Sequence, residues 1–136
     1  MALRCLIVDD SQGFLAAAGS LLQRQGIIVV GVASTGAEAL QRAAGLRPDV
    51  VLVDIDLGGD SGLQLARRLH RDRTPAPPPV ILISTHPEED YAELIADSPA
   101  VGFLTKIALS AGAIQDLLGG PGGRGTGDPV SGPRGR

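Results

Sequence analysis

The sequence predicts a single α/β domain, a doubly wound five-stranded parallel sheet with helices on both faces. Between residues 3 and 118, apolar runs of strand length alternate with longer segments of helical period, five times over. The run Val50 to Val53 is apolar without a break, the pattern of a central strand covered on both sides. The connections are short, which suits right-handed βαβ crossovers.

Each element has its own signal. Leu3 to Val8 forms the first strand, apolar except for Arg4. Asp10 and Ser11 offer N-caps to a helix from about Gly13 to Arg24, in which Phe14, Leu15, Ala18, Leu21 and Leu22 share one face, and Gly26 ends it. Ile27 to Ala33 is the second strand. Thr35 and Glu38 make a capping-box pair for a second helix reaching about Ala44, where Gly45 stops it and Pro48 bars its resumption. The third strand, Val50 to Val53, leads to a helix from about Ser61 to Arg71. A proline-rich stretch, Pro75 to Pro79, delivers the chain into a fourth strand, Val80 to Ile83. Pro87, Glu88, Glu89 and Asp90 suit the first turn of a fourth helix running to about Asp97, where acidic groups complement the dipole. Val101 to Thr105 is the fifth strand, and Ser110 to Leu118 the last helix.

Composition sets bounds. A chain of 136 residues has room for one core, and with 43% hydrophobic but only 2% aromatic residues that core consists of Ala, Val, Leu and Ile. Neither the net charge of −3 nor the scarcity of stacking aromatics points to a nucleic-acid partner. The lone Cys5 excludes an internal disulfide and a cysteine zinc site, and reads as a small apolar strand residue of a cytoplasmic protein. The apolar run Cys5 to Val8 is too short for a signal peptide or a membrane span. From Gly119 the chain reads GGPGGRGTGDPVSGPRGR, without apolar periodicity. The expected organisation is therefore a domain at 1–118 and a disordered Gly/Pro/Arg tail or linker at 119–136, either a stand-alone domain or one without its output domain.

The residues able to carry chemistry collect at the carboxyl ends of the strands, where ligands bind in this architecture. Asp9 and Asp10 follow the first strand, Asp54 and Asp56 the third, Ser84 and Thr85 the fourth, and Lys106 the fifth. In a flavodoxin-like (βα)5 order, 2-1-3-4-5, these sets converge on one pocket. Lys106 is the single lysine beside eleven arginines, and an ammonium makes a point contact with one anionic oxygen that a planar guanidinium does not. Two carboxylates about 4 Å apart repel by roughly 4 kcal/mol at an effective dielectric near 20, so Asp9, Asp10 and Asp54 together require a cation or raised pKa values. Too few protein oxygens for a full octahedron suits Mg²⁺, which keeps waters and shares its shell with phosphate. A hydroxyl from Ser84 or Thr85 and the charge of Lys106 are what the other phosphoryl oxygens need, leaving Asp54 as the acceptor. Each group alone has an ordinary reading: a helix cap for Asp9 and Asp10, a loop cap for Asp54, a strand-end hydrogen bond for Ser84, a solvated charge or a lysine-poor composition for Lys106.

Taken together, Leu6-Ile7-Val8-Asp9-Asp10-Ser11, Val51-Leu52-Val53-Asp54-Ile55-Asp56-Leu57 with Gly62 beyond it, Val80-Ile81-Leu82-Ile83-Ser84-Thr85 and Gly102-Phe103-Leu104-Thr105-Lys106 resemble the receiver domain of two-component response regulators. The resemblance implies a phosphoacceptor, Asp54, and an acidic Mg²⁺ pair, Asp9 and Asp10. It further implies that Asp56 is a ligand through its backbone carbonyl, Ser84 a switch hydroxyl, Phe103 a switch aromatic and Lys106 the phosphate-binding lysine. It implies a histidine kinase as phosphodonor, a downstream protein target, and self-catalysed phosphorylation and autodephosphorylation. A homodimer through the face of helix four, strand five and helix five is a further hypothesis. This chain departs from the family's usual pattern at Ile107 and Gly58, where proline is common, and at Thr85, where a small residue is usual; Asp56 and His86 stand where the family tunes phosphoryl lifetime. Two alternatives stay open: a pseudo-receiver that binds partners without phosphorylation, and a haloacid-dehalogenase-like phosphohydrolase built on Asp54 and Asp56.

Overall fold

Side chains alternate across the strands and divide the core in two. Leu6, Val8, Val51, Val53, Val80 and Leu82 pack with Ala39, Ala43, Leu65, Ala66 and Leu69 on one face of the sheet. Cys5, Ile7, Val50, Leu52, Ile81 and Ile83 pack with Leu15, Ala18, Leu22 and Ile114 on the other. A computed structural model describes residues 2–72 and 77–119. The proposed tail from 120 onward and part of the proline-rich stretch lie outside the described residues.

The elements are β1 (Arg4–Val8), α1 (Gln12–Arg24), β2 (Ile28–Ala33), α2 (Gly36–Leu46), β3 (Val50–Asp54), the short β4 (Asp56–Leu57) and β5 (Asp60–Ser61), α3 (Gly62–Asp72), β6 (Val80–Ser84), α4 (Ala92–Ala96), β7 (Gly102–Thr105) and α5 (Ala111–Leu117). The main sheet has the order β2-β1-β3-β6-β7, and all its pairings are parallel. Once the β4–β5 hairpin is set aside, this is the expected 2-1-3-4-5. Helices α2 and α3 cover one face, α1 and α5 the other.

Several boundaries differ from expectation for identifiable reasons. Helix α2 does not stop at Gly45; it runs to Leu46, and Arg47 takes the left-handed C-cap conformation at φ 50°. The guanidinium of Arg4 donates to the carbonyls of Leu46 and Arg47, each at 2.8 Å, so the one polar residue of the first strand satisfies the end of that helix. The capping box at its start is displaced by one residue: Thr35 Oγ1 accepts from the Glu38 amide, but the Glu38 carboxylate accepts from Ser34. These bonds hold the Glu38 carboxyl below its ordinary pKa. The fourth helix opens with a 3-10 turn, Glu88–Tyr91, before α4 begins. Between β3 and α3 lies the antiparallel β4–β5 pair, whose strands of two residues each are too short to show a period in the sequence. As expected, Cys5 is buried, and burial pushes its thiol up to about 12.

Leu82 is fully buried in β6, next to β3. Leu82→Ala is expected to cost about 2–5 kcal/mol, the usual range for such a cavity; a urea denaturation midpoint unchanged from wild type would contradict this packing.

Candidate functional site

Strand parity brings the first two acidic residues together. Val8 pairs with Val53 across β1 and β3, and Asp9 and Asp54 each stand one residue further on. Asp9 continues the Cys5 and Ile7 row and Asp54 the Val50 and Leu52 row, so both belong to the α1/α5 side. Asp9 is wholly buried and Asp54 is 6% exposed. Asp10 is exposed, yet oxygens of Asp9, Asp10 and Asp54 lie within 4.8 Å of one another.

Lys106 follows β7 and reaches across the strand ends. Its Nζ lies 2.6 Å from Asp9 Oδ2 and 3.1 Å from Asp54 Oδ2. Asp9 Oδ1 accepts from the Ser11 amide at 2.8 Å and Asp54 Oδ1 from the Asp56 amide at 3.1 Å. Asp9 Oδ2 is buried and makes no well-angled hydrogen bond, so its contact with the ammonium is one of charge. Burial, reinforced by the Asp9 charge, raises the Asp54 carboxyl above its ordinary pKa, although the Asp56 amide and Lys106 oppose the shift. Burial disfavours the Lys106 charge, but Asp9 and Asp54 outweigh it and raise the ammonium's pKa. The ring of Phe14 lies 4.5 Å from the same Nζ.

The loop after Asp54 depends on two glycines. Any Cβ at Gly62 would collide with the Asp54 backbone carbonyl, while the Gly62 amide donates to Ile55 at 2.8 Å, so α3 starts directly against the acidic strand end. Gly58 has φ +72°, which proline does not adopt, and a Cβ there would stand 2.9 Å from Asp10 Oδ2. The two hydroxyls differ in position: Ser84 is buried at the end of β6 and its Oγ accepts from the His86 amide at 3.0 Å, whereas Thr85 and His86 are exposed. The Asp56 side chain is exposed, its Oδ1 accepting from the Gly58 amide. Phe103 is buried, with its ring 6.5 Å from that of Tyr91. Ile107 sits in a 3-10 turn, Lys106–Ala108, and is 97% exposed; without proline at this position the lysine still reaches both carboxylates.

The sequence did not single out Phe14 or Tyr91 as site neighbours. Helical period places Phe14 on the apolar face of α1, and it does not distinguish a core residue from one that ends beside the carboxylates. The available signal was that Phe14 is the first apolar side chain after Asp9 and Asp10.

This fold and edge define a class of protein, and comparison with known sequences agrees. The model of the response regulator receiver domain matches residues 5–116. The chain belongs to that family, the signalling switches of two-component systems, which sets aside the phosphohydrolase alternative. The response regulator GacA of Pseudomonas viridiflava is 34% identical over 118 residues, 85% of this chain and 53% of that protein. The DNA-binding transcriptional activator EvgA of Escherichia coli K12 is 30% identical over 104 residues, 76% of this chain and 50% of that protein. The chain thus spans about half the length of these relatives. Among solved structures, the signal receiver domain of NarL from Mycobacterium tuberculosis superposes with a TM-score of 0.75 at 28% identity, covering 87% of this chain and 98% of that one. No helix among the described residues is long and apolar enough to cross a membrane.

Because the folded Asp54 carboxyl titrates above its ordinary 3.8, the fold holds a proton that the unfolded chain releases, and stability falls as pH rises from 3.8 through the raised value. Asp54→Asn should therefore have a higher urea midpoint than wild type near neutral pH in EDTA, with the gap closing in acid. An equal or lower midpoint at neutral pH would show that the lysine fully compensates the carboxylate.

Proposed function

We propose that this chain is a phosphoacceptor receiver in which Asp54 takes a phosphoryl group from a phosphohistidine of a histidine kinase and thereby switches a protein-binding face. The observation that carries this reading is the ammonium of Lys106 within 3.1 Å or less of two carboxylates, in a cluster of three that one ammonium does not neutralise. An all-oxygen donor set of three clustered carboxylates, with only one ammonium among them, fits a hard divalent cation. Asp9, Asp10 and Asp54, with the backbone carbonyl of Asp56, would hold Mg²⁺, which when bound offsets negative charge on the carboxylates and the incoming phosphoryl group.

This chain's residues then divide the work. One Asp54 carboxylate oxygen attacks phosphorus, forming a P–O bond; the P–N bond breaks and its electron pair stays on the imidazole nitrogen. The Asp56 amide on Oδ1 and Lys106 on Oδ2 fix the carboxylate's orientation for that attack. Ser84 Oγ already accepts from His86, so its own proton is available to a phosphoryl oxygen. Lys106 supplies the counter-charge to the group it faces. Water later cleaves the acyl phosphate and returns the carboxylate.

The switch we assign to Ser84 and Phe103 has a physical route. Ser84 holds the His86 amide, the His86 ring meets Tyr91 edge-on at 6.4 Å, and Tyr91 faces the buried Phe103. Moving Ser84 toward a phosphoryl group disturbs that aromatic row and the turn leading into α4. The surface there carries exposed Glu88, Glu89, Asp90, Glu93 and Asp97 around exposed Leu94. A basic, partly apolar segment of a target suits it. A two-fold homodimer on this face would bring like charges together, which repel.

Incubating the protein with Mg²⁺ and acetyl phosphate should add one HPO3 to its intact mass, and Asp54→Asn should abolish the adduct. EDTA should abolish it too. No adduct with acetyl phosphate or phosphoramidate would favour the pseudo-receiver reading instead.

A further inference from the structure

We infer that Phe14 is a positioning residue for the Lys106 ammonium, an inference that rests on the phosphoryl-transfer reading above. The contacts form a closed circuit. Asp9 Oδ1 accepts from the Ser11 amide at 2.8 Å, and Ser11 Oγ, the N-cap of α1, accepts from the Phe14 amide at 3.2 Å. The Phe14 ring lies 4.5 Å from Lys106 Nζ, and the ammonium returns to Asp9 Oδ2 at 2.6 Å. The aspartate that attracts the lysine thus also fixes, through two hydrogen bonds, the turn that presents the ring.

Such a ring answers a particular need. A lysine side chain is a flexible four-carbon stem, and the turn that follows gives it no anchor: Lys106–Ala108 has no side-chain cap and Ile107 projects into solvent. Another carboxylate would hold the ammonium but would compete with a phosphoryl group for it. The face of an aromatic ring attracts the cation through its quadrupole while carrying no formal charge, and it keeps water from that side. An aliphatic side chain of similar bulk would exclude water without the attraction. Phe14 is only half-buried, and the fully buried positions of α1 belong to Leu15, Ala18, Gly19 and Leu22, so the ring sits at the rim of the core, toward the site.

Because Lys106 is the single lysine, ¹³C labelling of lysine at the ε carbon yields one signal that needs no assignment. Its ε protons should be displaced upfield by the ring in wild type and in Phe14→Tyr, and should return to the random-coil position in Phe14→Leu. With Mg²⁺ present, affinity for the phosphoryl mimic beryllofluoride should fall about three- to tenfold in Phe14→Leu and recover in Phe14→Tyr. Random-coil ε protons in wild type would overturn the inference without any variant. So would an unchanged affinity in Phe14→Leu, or a loss that Phe14→Tyr fails to rescue. A wild-type protein that takes no beryllofluoride would sink the phosphoryl reading instead, and the ε-proton shift would still decide whether the ring holds the lysine.

Discussion

The contact between Lys106 and the paired carboxylates of Asp9 and Asp54 is the constraint on which the carboxyl edge of this sheet depends. Two carboxylates about 4 Å apart repel by roughly 4 kcal/mol at an effective dielectric near 20, and the ammonium between them offsets that repulsion, while burial and what remains of the repulsion raise the pKa of Asp54. The fold supplies that cation from the far end of the chain: β3 separates β1 from β6, β7 lies beyond β6, and Lys106 spans the intervening strand ends. With one ammonium shared between two anions, a third carboxylate, Asp10, remains near. Excess negative charge is thereby built into the resting site, and this favours binding of a further cation.

Around that contact the backbone is arranged to bring groups close rather than to fill space. Gly62 lets the start of α3 lie against the Asp54 carbonyl, and Gly58 lets the β4–β5 turn pass beside the Asp10 carboxylate. Ser11 ties Asp9 to the first turn of α1. The elements that meet Asp54 are therefore held by hydrogen bonds and close approach, while the apolar alternation of β1, β3 and β6 holds the platform beneath them. Rigid support of this kind keeps reacting groups in place without using their own charges.

The opposite half of the domain is less buried and more acidic. Helix α4 is short, follows a 3-10 turn, and has no fully buried residue. Tyr91 and Phe103 link it to the core by ring contacts, while Ser84 reaches it through the loop at His86. Few buried contacts make a segment inexpensive to shift.

Periodicity determined the five strands of the main sheet and the five helices, and the rules of the doubly wound architecture then gave their parallel order and the meeting of Asp9, Asp10, Asp54 and Lys106, because alternation and cap chemistry are local and that topology is a strong rule. Other features waited on tertiary structure. Gly45 reads as a helix stop, but the guanidinium of Arg4, 41 residues earlier, satisfies the carbonyls that let α2 continue to Leu46. Ile107 stands where the family commonly has proline, yet the turn directs the isoleucine outward and the lysine inward, since the two carboxylates attract only the charged side chain. Phe14 looked like one more apolar residue of a helix, and its place over the ammonium follows from the packing of α1 beside β1. The residue types that can do the chemistry were present in the chain order; which of them touch, and through which atoms, was decided by groups distant in sequence that the sheet brought within contact distance.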